Sequence, residues 1–106
     1  MLGICYGAEI LALTLGGTIR KSPSIQKGYE EINVFGTNLI SKKPLNVFES
    51  HEFEISKLPG VLVQLADSKN CKYEIIQYEK KLIFGTQFHP EMSSDGHDLI
   101  EKFCLL

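Results

Sequence analysis

Apolar residues along the chain fall in short runs separated by glycine, proline and polar clusters, and the spacing inside each run sets the element it predicts. Met1 to Ile4 reads as the end of a strand, and Ala8 to Leu15 is apolar almost all round, which predicts a helix buried on most sides and stopped by Gly16 and Gly17. Thr18 to Arg20 and Glu31 to Phe35 are strand-like fragments, joined by a polar loop that holds Ser22, Pro23, Ser24 and Gly28. Leu45 to Glu49 predicts another short strand, and Ser50 to Pro59 reads as a loop. Val61 to Ala66, Tyr73 to Tyr78 and Leu82 to Phe88 are β-rich, with a hairpin turn at Lys80 and Lys81 between the last two. Ser93 to Gly96 supplies N-cap residues for a closing helix whose Leu99, Ile100, Phe103 and Cys104 share one face, so that helix should lie on the sheet.

Strands that are apolar on both faces, flanked by helices, predict an α/β fold with a mixed sheet covered on both sides. Composition agrees with one globular domain: 106 residues, 43% hydrophobic and 23% charged. The net charge of -2 is spread evenly, which argues against nucleic acid or a membrane surface as partner. The apolar opening is too short to span a bilayer, contains Glu9 and has no basic residue before Arg20, so it reads as neither a membrane span nor a signal peptide. Cys5, Cys71 and Cys104 are odd in number and irregularly spaced, which predicts reduced thiols in the cytoplasm, no disulfide framework and no metal site.

Two segments carry chemistry. Gly3-Ile4-Cys5-Tyr6-Gly7 places a cysteine between glycines at a strand-to-helix junction, the setting in which a sharp turn presents a nucleophile at the top of a sheet. The following helix N-terminus should lower the Cys5 pKa, and the Tyr6 N–H should point to a developing oxyanion. Taken alone, the same pentapeptide is also what a small core cysteine in a glycine turn looks like. In Phe88-His89-Pro90-Glu91, the His and Glu are two apart, so on an extended segment they leave the same side and Pro90 stiffens the link. Glu91 would orient His89, and His89 would deprotonate Cys5.

Together with LGICYGAEILALTLGG, GGTIRK, KGYEEINV, VFESHEFEISKLP, GTQFHPE and DGHDLIEKF, these segments resemble the class I glutamine amidotransferases through nearly the whole chain. The resemblance implies a flavodoxin-like mixed sheet with flanking helices and a Cys5-His89-Glu91 triad that hydrolyses L-glutamine through a thioester. It implies Tyr6 and Gly7 near the oxyanion, and Glu9, Ser50 and His51 near the substrate. No cofactor is implied. The implied partner is an ATP-dependent synthetase that takes up the ammonia, and the VFESHEFEISKLP and FGTQFHPE segments most resemble the amidotransferase subunit or domain of GMP synthase.

The chain departs from that family at two points. Where the family has a glutamine, this chain has Glu9, which accepts hydrogen bonds and donates none, so weaker glutamine binding is expected. Family members also carry two or three strand-helix units, each roughly 30 residues, ahead of the nucleophile. The chain is therefore expected to be the C-terminal part of such a domain, inactive alone and paired through an open sheet edge with another chain, most simply a second copy. The competing readings are a free-standing γ-glutamyl hydrolase of the same fold and a non-catalytic remnant that serves as an interaction domain.

Overall fold

A computed structural model describes residues 1–35, 44–79 and 81–106. Strand β1 (Leu2–Ile4) runs into helix α1 (Tyr6–Thr14), followed by the long strands β2 (Thr18–Val34) and β3 (Leu45–Lys57). Strands β4 (Leu62–Ser68), β5 (Cys71–Tyr78) and β6 (Phe84–Thr86) come next, then a 3-10 turn at Pro90–Met92 and helix α2 (Ser94–Cys104). These six strands form one sheet in the order β1-β6-β5-β4-β2-β3. Among them only β1 and β6 run parallel, and the remaining neighbours are antiparallel. The sheet curls enough that Phe48 of β3 forms a bridge with His89, beyond the end of β6.

The two stretches expected as loops are strand. Ser22 to Gly28 lies within β2 and Ser50 to Lys57 within β3, paired in register from Thr18 opposite Lys57 to Ile32 opposite Leu45. Their polar character hid them, because the buried positions in the first half of β2 are Ser22 and Gln26, not apolar residues. Ser22 Oγ donates to Glu54 Oε1 at 2.9 Å, and Arg20 pairs with the other oxygen at 2.9 Å, so a buried carboxylate takes the place of a hydrophobic contact. Pro23 has no N–H to give the ladder. It falls where the register jumps between Lys21 and Gln26, in a bulge that removes it from the pairing.

The other boundaries lie close to expectation, apart from β6, which is only three residues long. Lys80, half of the expected turn, lies outside the described residues. On either side of it the hairpin is closed by Tyr78 N–H donating to Ile83 O at 2.9 Å and Lys81 N–H donating to Tyr78 O at 2.9 Å.

Helix α1 buries Ala8, Glu9, Leu11 and Ala12, and leaves Ile10 and Leu13 each 45% exposed, so it is covered on one side rather than most. Leu11 and Ala12 pack with Ile55, Leu62 and Ile76 on one face of the sheet. Helix α2 covers the other face, as expected. Ser93 caps it by accepting from Gly96 N–H at 2.9 Å, and Leu99 and Phe103 pack against the core, the Phe103 ring edge-on to Phe84 at 5.8 Å. Cys104, assigned to that apolar face from its spacing, is exposed, because the helix ends there and its last turn passes beyond the sheet.

Candidate active site

Cys5 joins β1 to α1 with φ 52° and ψ -102°, and it is the only described non-glycine residue with positive φ. An L-residue reaches that conformation at a cost of about 1–3 kcal/mol and keeps it only where the surroundings impose it. Here they do. Its N–H donates to Thr86 O at 2.6 Å, and its carbonyl accepts from Ala8 and Glu9 N–H. A Cβ on Gly3 would lie 2.8 Å from the Gly7 carbonyl carbon, and one on Gly85 would lie 2.9 Å from Ala8 Cβ. Gly3 and Gly85 therefore let β1, β6 and α1 close around the turn, while a Cβ on Gly7 would meet nothing, contrary to the steric role expected of it.

Parallel pairing of Ile4 with Thr86 brings the ends of β1 and β6 to one edge of the sheet, where Cys5 and His89 both emerge. His89 N–H donates to Phe48 O at 2.9 Å, and its ring Nδ1 pairs with Glu91 Oε2 at 3.0 Å. The link is made differently from the extended geometry expected: His89 is extended, but Pro90–Met92 is a 3-10 turn that folds Glu91 back. His97 braces the turn through Nε2 and Glu91 O at 2.7 Å, and Tyr29 OH donates to Met92 O at 3.4 Å. With Nδ1 held by the carboxylate, Nε2 of His89 is the nitrogen left for chemistry. Cys5 Sγ lies 3.8 Å from Ser50 O, its hydrogen-bond partner among the described residues.

A cleft of about 380 Å³ opens at the thiol, lined by Cys5, Tyr6, Glu9, Lys27, Ser50 and His51, among others. Ser50 and His51 belong to β3, which replaces the loop and helix-cap reading of that pair. His51 is buried, with Nε2 2.8 Å from Glu49 Oε1 and Nδ1 2.9 Å from Phe53 O. Glu9 is 5% exposed and accepts from Gln87 Nε2 at 2.8 Å, so its carboxylate is held by a neighbour's amide. Glu49, Glu74 and Gln87 are buried polar residues at this end of the sheet that sequence reasoning passed over, although charged residues inside the strands LNVFESHEFEISK and CKYEIIQY were a signal.

The Cys5 thiol is pushed above its ordinary range, opposite to the expected lowering. Partial burial is the main cause, followed by the negative charge of Glu9, with smaller contributions from Glu49 and Glu91. The Tyr6 N–H favours the thiolate but does not outweigh them. A thiol in this state depends on a base to act near neutral pH. Removing the nearest charge should ease ionisation, so Glu9→Gln is expected to move the pH midpoint of Cys5 alkylation by iodoacetamide downward in a Cys104→Ser background. An unchanged or raised midpoint would show that the Glu9 charge is not felt at the sulfur.

Among the described residues, no three His, Cys, Asp or Glu side chains are grouped to hold a metal ion, and no helix is long and apolar enough to cross a membrane.

The fold and this site have close counterparts. The glutamine-hydrolysing subunit of GMP synthase from Saccharolobus solfataricus is 39% identical over 108 residues, which cover 97% of this chain and 57% of the relative. The GMP synthase of Acetivibrio thermocellus is 34% identical over 110 residues, covering 97% of this chain and 21% of that protein. Among solved structures, a Thermoplasma acidophilum protein assigned as the corresponding GMP synthase subunit superposes with a TM-score of 0.89 at 31% identity, over 96% of this chain and 54% of the other. A glutamine amidotransferase from Thermotoga maritima gives 0.77 at 25% identity, over 97% and 46%. The chain thus spans about half the length of the two separate-subunit relatives. Their shared α/β architecture is the mixed, curled sheet with flanking helices described above. With the glutamine amidotransferase class-I family model matching residues 1–105, the chain belongs to the class I glutamine amidotransferases.

Proposed function

We propose that the Cys5 cleft hydrolyses the side-chain amide of L-glutamine and supplies the ammonia to an ATP-dependent synthetase of the GMP synthase type. The observation that carries this reading is the strained Cys5 turn at the same sheet edge as a His89 ring already paired with Glu91. His89 Nε2 takes the thiol proton as Cys5 Sγ bonds to the amide carbon, and the oxyanion meets the Tyr6 and Gly7 N–H groups at the start of α1. The imidazolium returns its proton to the nitrogen as the C–N bond breaks, releasing ammonia and leaving a γ-glutamyl thioester. Water then attacks the thioester carbon, giving its proton to His89. The C–S bond breaks, the sulfur recovers its proton, and glutamate leaves. Lys27 is a cation lining the cleft and suits the α-carboxylate of the substrate, while Glu9 and Ser50 face its polar groups. Three free cysteines fit a reducing, cytoplasmic setting.

Glu91 orients a base and does not itself transfer the proton, so Glu91→Gln should reduce kcat less than Cys5→Ala or His89→Ala. Steady-state kinetics checks this, and a Glu91→Gln variant as inactive as Cys5→Ala while still folded would assign Glu91 a direct step. A γ-glutamyl hydrolase reading is favoured by one feature, Glu9 in place of an amide. A glutamate-release assay with and without a GMP synthase ATP-pyrophosphatase subunit separates the readings. Stimulation by the synthetase supports the amidotransferase, equal activity without it supports the hydrolase, and no release in either case supports a non-catalytic domain.

A further inference from the structure

The wall of the cleft that carries Ser50 and His51 stands on a buried acid cluster that the hydrolytic steps do not use. Glu49 on β3 and Glu74 on β5 are 3% and 1% exposed. Glu49 Oε1 meets His51 Nε2 at 2.8 Å, while Ser68 Oγ donates to Glu74 Oε2 at 2.6 Å. That leaves Glu49 Oε2 and Glu74 Oε1, both fully buried and without any other partner. The two side chains lie within hydrogen-bonding reach of each other. Two carboxylates cannot donate to one another, so a pair buried this way is stable only with a proton between them.

We propose that Glu49 and Glu74 share one proton and thereby fix His51 and Ser50 on the cleft wall, acting as positioning residues for the substrate at Cys5. This inference rests on the glutaminase reading of the cleft. Glu74 is the donor: the bond raises Glu74 and lowers Glu49, while burial raises both. The other ionisable groups that face the pair are His51 on β3, Cys71 on β5, Glu30 on β2 and Cys5 at the head of α1. Glu49 then accepts from Glu74 on one side and holds His51 on the other. His51 Nδ1 donates to Phe53 O, since a carbonyl oxygen only accepts, and the ring is locked at both nitrogens.

Glutamine at position 74 keeps a neutral donor for Glu49, whereas valine leaves Glu49 buried and unpaired. Infrared spectra at neutral pH are expected to show a protonated carboxyl band in the unmodified chain that disappears in Glu74→Gln. Labelling of Cys5 by a chloroketone analogue of glutamine should be about tenfold slower in Glu74→Val and within about twofold of the parent in Glu74→Gln, since an unsatisfied buried acceptor costs about 1–3 kcal/mol. Cys5 alkylation by iodoacetamide should be alike in all three. A group whose folded pKa is raised contributes stability below its unfolded pKa and loses it as pH rises through the folded value. The parent's melting temperature should therefore fall with rising pH above the usual carboxylate range, and Glu74→Gln should flatten that slope. Absence of the protonated band, or equal labelling of the Gln and Val variants, would overturn the proposal. If the chloroketone labels the parent no faster than iodoacetamide does, the glutamine reading of the cleft fails, while the infrared band still decides the shared proton. That band does not require the valine variant to fold.

Discussion

Replacing Cys5 with alanine is expected to lower glutamine-dependent glutamate release at least about a thousandfold, whether the chain is assayed alone or with its synthetase. No other thiol can take over. Cys71 is buried, with its thiol driven well above the ordinary range by burial and by the nearby carboxylates of Glu74, Glu49 and Glu54. Cys104 is exposed at the far end of α2. Alanine removes the sulfur from a turn whose geometry is fixed by backbone bonds to Thr86, Ala8 and Glu9, so the fold should survive and the loss should appear in kcat. His89→Ala should come close to the same loss, because the raised thiol needs a base. Residual release of more than a few per cent by a folded Cys5→Ala variant would remove the thioester from the mechanism.

Gly96→Ala is expected to cost about 3 kcal/mol of stability, an overpacking penalty at the upper end of the usual range. A Cβ at Gly96 would lie 2.1 Å from Pro90 O and 2.5 Å from Pro90 Cα. These are backbone atoms, so no side chain can swing away. Either α2 lifts from the sheet, loosening Leu99 and Phe103, or the Pro90–Met92 turn moves and carries Glu91 from His89. Thermal unfolding should show a melting temperature lower by roughly 10–20 °C for a domain of this size. An unchanged melting temperature with full activity would mean that the contact between α2 and the turn is not as close as described. The lever is local: Asn46 N–H donates to Asp95 Oδ2 at 2.8 Å, so the same helix turn also anchors β3.

These expectations rest on parts of the molecule that were legible in the sequence to different degrees. The Cys5 turn could be read because it depends on local sterics, glycine beside the nucleophile and a helix immediately after. The capping of α2 by Ser93 is local in the same way. The β2–β3 pair could not be read, since its inward positions hold Ser22, Gln26, Glu49 and His51, which satisfy one another or their neighbours across strands and leave no apolar alternation. The ionisation of Cys5 depends on how deeply the turn is buried and on three carboxylates brought in from α1, β3 and the His89 turn. A helix N-terminus alone suggested the opposite direction. Glu49 and Glu74 are 25 residues apart in sequence and meet only because the sheet curls, so their pairing had no local signature.

The central claim, that Cys5 is the nucleophile of a glutamine site, is tested most directly by mass spectrometry after brief exposure to the chloroketone analogue of glutamine. The account predicts a single adduct on the Cys5 peptide, suppressed by excess glutamine and absent from Cys71 and Cys104, even though iodoacetamide should reach the exposed Cys104 first. Modification of Cys104 at an equal rate, or labelling of Cys5 that glutamine does not suppress, would contradict it.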